Sequence, residues 1–180
     1  MSPAKVELFA MQCLRCQQAI PANPDEVIWV CAHCGQGLVL SDEQGLLPQV
    51  IHYSPGIAPN TIGKPVWVVN GQAALQRETY SGDNTREMQE FWSQPHWFFI
   101  PAYDLALSDL AEIGLRQLRQ PPALQEGASP ATFLPVTVPP EDIRPLAEYL
   151  VQAFEADRRD NLRALTFTLQ LGSPELWIFP

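Results

Sequence analysis

Long apolar runs are missing from this chain of 180 residues. A membrane-spanning helix needs about 20 consecutive apolar residues. Stretches such as Val27–Ala32 and Trp97–Ile100 are far shorter, so no membrane span is expected. The first ten residues have no apolar segment of the signal-peptide kind and carry Glu7. The expected location is therefore the cytoplasm, where thiols stay reduced and paired cysteines more often hold metal than form disulfides. Basic side chains are also scarce, 11 against 20 acidic ones, for a net charge of −9. That balance argues against a protein built to coat nucleic acid or an anionic membrane. Catalytic patterns are absent as well. There is no G-x-S-x-G, no H-E-x-x-H, no phosphate-binding G-x-x-x-x-G-K-[ST] and no G-x-G-x-x-G.

The composition that is present, 46% hydrophobic and 17% charged, is that of a folded globule. Proline is abundant, 18 residues, roughly twice the usual ~5% share, which disfavours long uninterrupted helices. All four cysteines fall in the first 34 residues as Cys13, Cys16, Cys31 and Cys34. Each pair is C-x2-C, and fourteen residues separate the pairs. Two residues between thiols let a tight turn aim both sulfurs at one ion while its N–H groups donate to the thiolates. Two such turns supply four soft ligands for a tetrahedral site. The spacer Gln17–Val30 is long enough for one excursion, turning at Pro21, Asn23 and Pro24 and returning as a strand over 27–30. Val6–Met11 and Leu38–Leu40 read as the flanking strands, and Gly35 follows the second pair where a positive φ is often required. Iron held by the same four ligands and a redox-active thiol pair are alternatives to a structural metal. Covalent haem is not, because Gln17 and Gly35 stand where a histidine would be needed. His33 lies inside the second pair and is expected to face solvent.

Residues from about 6 to 53 resemble a four-cysteine zinc ribbon, a module found in many transcription, replication and bacterial proteins. The resemblance rests on both cysteine pairs and on Cys31-Ala32-His33-Cys34-Gly35, which is close to the family's C-P-x-C-G with Ala32 in place of proline. The first pair, Cys13-Leu14-Arg15-Cys16-Gln17, departs from the family in lacking the glycine. The resemblance implies that the four cysteines are the ligands and that the ion is a structural Zn2+. Val6, Leu8, Ile28, Trp29, Leu38 and Leu40 are too few to hold such a unit together unaided, so chelation is expected to unfold residues 6–53 first. Nucleic-acid ribbons carry basic side chains. Residues 1–53 hold only Lys5 and Arg15 against five carboxylates, a net −3, and four thiolates with one Zn2+ bring the module near −5. Binding to a phosphate backbone is therefore disfavoured.

Residues 54–64, rich in proline and glycine, read as a joint between a ribbon over 1–53 and a second unit over 65–180. Leu46–Tyr53 is either the last ribbon strand or its first contact with that unit. A short strand, Val66–Val69, is expected to stop at the turn dipeptide Asn70-Gly71. Residues 71–94 are polar and ambiguous, with a short helix at Thr85–Trp92. Further expectations are a strand over His96–Ile100, a helix over Asp104–Gln120 and an edge strand over Phe133–Val138 broken by Pro135. The clearest helix is Glu141–Asp157, with Pro145 tolerable only in its first turn. Ala164–Leu171 alternates apolar and polar, and Gly172-Ser173-Pro174 is expected to turn it into a hairpin with Leu176–Phe179. Pro95–Pro101 and Pro174–Pro180 echo each other in length and bounding prolines, a weak sign of duplicated strands in one sheet. The pattern is α+β: a small ribbon followed by an α+β sandwich, with a mixed or antiparallel sheet and two main helices on one face.

Outside the cysteines, chemistry is sparse. His96 beside Trp97 reads as a core or rim residue, and His52-Tyr53 as packing at the joint. Asp83, Asn84, Glu87 and Glu90 read as a solvated face. Arg158, Arg159 and Arg163, interleaved with Asp157 and Asp160, point to local ion pairing, with a small anionic ligand or acidic partner as the sharper alternative. Trp92, Trp97, Phe98, Phe99 and Trp177 are either core or a partner surface. The functional expectation is a non-enzymatic, zinc-binding adaptor with a protein partner. The alternatives are a nucleic-acid-associated or transcription-linked accessory protein and an enzyme whose site the sequence hides.

Overall fold

The computed structural model describes residues 10–41, 44–82, 84–127, 131–158 and 160–180. The expected strand over Val6–Met11 lies almost wholly outside them, as do Val6, Leu8, Asp83 and Arg159. The fold is α+β. Three short strands, β1 (Ile28–Val30), β2 (Gly37–Ser41) and β3 (Gly45–Gln49), form an antiparallel meander. Alternation gives this small sheet two apolar faces. Trp29 and Leu38, paired across the strands, pack with Cys13, Ile20 and Cys31, and Leu40 and Leu46 join them. Ile28 and Val39, also paired, belong instead to the core of the larger unit, and Leu47 packs against it.

The larger sheet is built on one strand, β5 (Lys64–Ser81). It does not stop at Asn70-Gly71 but passes straight through. Gly71 serves close packing and not a turn: a Cβ there would lie 2.6 Å from Leu171 Cδ2 and 2.8 Å from the Gln170 carbonyl. β6 (His96–Pro101) pairs antiparallel with β5 over Val66–Gly71. The other edge of β5 holds β8 (Glu175–Phe179) over Lys64–Val68 and β7 (Asn161–Leu171) over Gly71–Ser81. The expected hairpin between the last two strands is therefore not formed. Both run antiparallel to β5, end to end. Val69 and Asn70 lie opposite three residues, Gly172–Pro174, so one residue is inserted between the pairs Gly71–Leu171 and Val68–Glu175. The Gly172 N–H donates to the Asn70 carbonyl at 2.8 Å and keeps the line continuous. A short parallel strand, β4 (Ile51–Tyr53), adds outside β8 and makes the sheet mixed. Leu46–Tyr53 is thus divided: β3 ends the small sheet and β4 joins the large one. The echoing segments become β6 and β8, which flank β5 on opposite sides.

Three helices cover one face. α1 (Thr85–Ser93) buries Met88 and Trp92, four apart. α2 (Leu107–Arg119) buries Leu110, Ala111, Gly114 and Leu118, and begins three residues after Asp104, the expected start. Asp104 instead precedes the extended residue Ala106, which occupies the cap position. A 3-10 turn, Pro140–Asp142, leads into α3 (Ile143–Ala156), so Pro145 falls in the first turn, where its missing N–H costs no helical bond. These helices pack on Trp67, Val69, Ala73, Leu75, Phe98 and Ile100. The opposite face carries Val66, Val68, Phe99 and Trp177, with Leu124 and Phe179 against them. The expected edge strand at Phe133–Val138 reduces to two isolated bridges, Phe133 with Gly63 and Val136 with Ile28. Pro135 sits between them and has no N–H to extend a ladder.

Candidate metal centre

Residues 11–20 and 31–36 bring the four cysteines together. Gln12 bridges Ala19, and the Ile20 N–H donates to the Met11 carbonyl at 2.9 Å, closing the first turn at its base. Within it the Gln17 N–H donates to the Cys13 carbonyl and the Cys13 N–H to the Gln18 carbonyl, both at 2.9 Å. The second turn repeats this eighteen residues on: Gly35 to Cys31 at 2.8 Å and Cys31 to Gln36 at 2.9 Å. Both turns need a left-handed residue after the second cysteine. Gly35 has φ 73°, and Gln17, a residue with a Cβ, has φ 61°.

The four Sγ atoms lie 3.4–3.7 Å apart, with Cys13–Cys34 at 3.4 Å and Cys16–Cys31 at 3.5 Å. All are free thiols, and a disulfide would bring two sulfurs to about 2.05 Å. A tetrahedron built on thiolate bonds of about 2.3 Å has edges near 3.8 Å. The spacing and the all-sulfur donor set therefore fit one tetrahedral metal ion. Cys13 and Cys31 are buried, while Cys16 and Cys34 are half-buried. His33 is exposed and stands outside the cluster.

The backbone around the thiols favours the charged form unevenly. Burial pushes Cys13 up, but N–H groups of Cys16 and Arg15 donate to its sulfur and bring it down to about 6. The Cys34 and His33 N–H groups likewise lower Cys31. Cys16 has one such donor, Gln18, and burial with the neighbouring thiols drives it up to about 12. Cys34, served by Gln36, is raised for the same reasons. An ion that takes all four as thiolates must displace whatever protons they still hold.

The other residues singled out from sequence meet in small separate groups. The His52 ring stacks on Trp177 at 4.8 Å, and its Nδ1 meets Glu126 at 2.5 Å. His96 stacks on Phe91 at 4.0 Å and its Nε2 bonds the Phe91 carbonyl at 2.7 Å. Trp92, Phe98 and Phe99 are core, Trp177 is 5% exposed, and Trp97 alone of the five keeps a large open surface. Arg158 and Arg163 pair across elements and not locally. Arg158 meets Glu87 at 4.0 Å, Arg163 meets Glu78 at 3.7 Å, and Asp157 holds Arg119 at 2.5 Å.

Sequence reasoning missed a buried ionic network. Arg77 of β5 contacts Glu155 of α3 at 2.6 Å and Asp160, just before β7, at 2.9 and 3.1 Å. The Trp92 indole N–H donates to Glu155 at 2.7 Å. Asp160 is held below the usual carboxylate range by its hydrogen bonds from Arg77, against the effect of burial. The available signal was register. Arg77 occupies an inward slot of the alternation Ala73, Leu75, Arg77, and Glu155 follows Val151 by four on the buried stripe of α3. Two opposite charges in core positions were legible once β5 was known to continue past Gly71.

Among the described residues no helix is long and apolar enough to cross a membrane. Comparison of the chain with protein-family models, with curated proteins and with solved structures gave no match.

Proposed function

We propose that this is a non-enzymatic adaptor in which Cys13, Cys16, Cys31 and Cys34 hold one structural Zn2+. The observation that carries the reading is the closed set of four thiols at 3.4–3.7 Å, which leaves a tetrahedral ion no position for water or substrate. Zinc suits the site because it takes four thiolates in tetrahedral geometry without redox change. The ion fixes the turns on one face of the β1–β3 sheet, and Ile28 and Val39 anchor the other face in the main core. The metal-bearing unit, residues 1–53, is in this reading a rigid clip, followed by a joint over 54–64 and a body over 65–180. A net charge of −9 favours a protein partner with basic surface over a phosphate backbone. Free thiols of this kind persist in the cytoplasm, where the reading places the protein.

The test is mass-spectrometric metal content of the full chain, joined to affinity capture from the native host with wild type and Cys31→Ser. One zinc per chain, and a stoichiometric protein partner lost in the variant, are expected. Sub-stoichiometric metal would remove the zinc. Salt-sensitive recovery of nucleic acid would replace the adaptor reading with the nucleic-acid one.

A further inference from the structure

The two cysteine turns are copies related by a shift of eighteen residues, Cys13 to Cys31, Cys16 to Cys34, Gln17 to Gly35 and Gln18 to Gln36. The Gln18 N–H serves Cys16 as the Gln36 N–H serves Cys34. The equivalence ends at the side chains. Gln18 is exposed, and among the described residues its carboxamide has no thiol partner. Gln36 is half-buried, and its carboxamide oxygen accepts from the Cys13 thiol across the cluster at 3.1 Å. One residue therefore touches a sulfur of each turn, at the closest edge of the tetrahedron, Cys13–Cys34.

We infer that Gln36 is a positioning residue of the metal centre, tying the two cysteine turns together and stabilising the charge on Cys13. The inference rests on the reading of the four thiols as metal ligands. A ligating cysteine is a thiolate and can only accept hydrogen bonds. A half-turn of the terminal amide exchanges its oxygen for its NH2 without moving the group. Cys13 then has three donors: Cys16 N–H, Arg15 N–H and the Gln36 amide. Cys31 has two, and Cys16 and Cys34 one each. Groups that hydrogen-bond a metal ligand in this way typically change metal affinity by about 10–100-fold.

The test compares full-length wild type, Gln36→Leu, Gln36→Asn and Gln18→Leu. Zn2+ affinity is measured by competition with a chromogenic chelator, and the thiolate-to-metal absorption is recorded after loading Co2+. Gln36→Leu is expected to bind Zn2+ about 10-fold more weakly, or worse, and to move the Co2+ charge-transfer band to lower energy, as a less stabilised thiolate requires. Gln36→Asn, too short to reach Cys13, follows it in direction and serves if the leucine variant does not fold. Gln18→Leu matches wild type. Wild-type affinity and spectrum in both Gln36 variants would overturn the inference while leaving the metal site standing, and so would an equal loss in Gln18→Leu. A wild-type chain that takes up no zinc would overturn the metal reading itself.

Discussion

Gln17 holds a conformation that costs a side chain dearly. At φ 61° its Cβ crowds the following carbonyl, a penalty of about 1–2 kcal/mol, which the equivalent Gly35 at φ 73° does not incur. Gln17→Gly is expected to stabilise the metal-loaded protein by about 0.5–1 kcal/mol, part of the gain being lost to glycine's greater freedom when unfolded. Denaturant unfolding at constant Zn2+ would show it, and a lower midpoint would sink the idea. Asp160 presents the opposite situation, a single carboxylate whose loss leaves a buried cation short of partners. Asp160→Asn is expected to destabilise the fold by about 3 kcal/mol at neutral pH, because Arg77 keeps only Glu155. The pH dependence has a definite sign. Asp160 ionises more readily when folded, so its contribution is full above the unfolded value of about 3.9 and is lost as pH falls through the folded one. The gap between wild type and variant should therefore narrow below about pH 4. A gap constant from pH 7 to pH 2 would show that the charge is not the cause.

At the scale of elements, the small sheet is the piece most exposed to metal loss. Its outer face rests on the thiols, and its inner face, through Ile28 and Val39, rests on the core of the body. Removing the ion should therefore loosen the structure in a graded way. Hydrogen exchange after chelation is expected to speed up first in residues 11–20 and 31–36, less in β1 and β2, and least in the β5–β6 pairing. Equal acceleration in all three would contradict this division. The sequence leads one to expect that residues 6–53 unfold first; the contact of Ile28 and Val39 with the body adds an order within that segment, because the sequence does not show which face of β1 meets the body. Local elements were readable where one signal dominated: two C-x2-C pairs, the stripe of α3, the alternation of β7. What escaped was pairing between distant segments. Asn70-Gly71 carries the chemistry of a turn, yet β6, β7 and β8 together supply partners for β5 on both sides of it, from Lys64 to Thr79, and override it. Gly172-Ser173-Pro174 has turn chemistry too, and becomes a one-residue offset because the same edge of β5 continues beyond it.

At the scale of the whole molecule, β5 is the common partner of β6, β7 and β8, and the core runs from the helices to the inner face of the small sheet. β8 lies between β5 and β4, the strand that leads directly out of the metal-bearing segment. The His52 ring on Trp177 and the Ser54 N–H bond to the Ile178 carbonyl fasten the same place. Ile51–Tyr53 thus has its sheet partner in Leu176–Ile178, far along the chain from the cysteine turns. Loss of β8 would therefore take away this attachment and leave the metal-bearing segment held to the body through Ile28, Val39 and the backbone bond from Val27 to Val136.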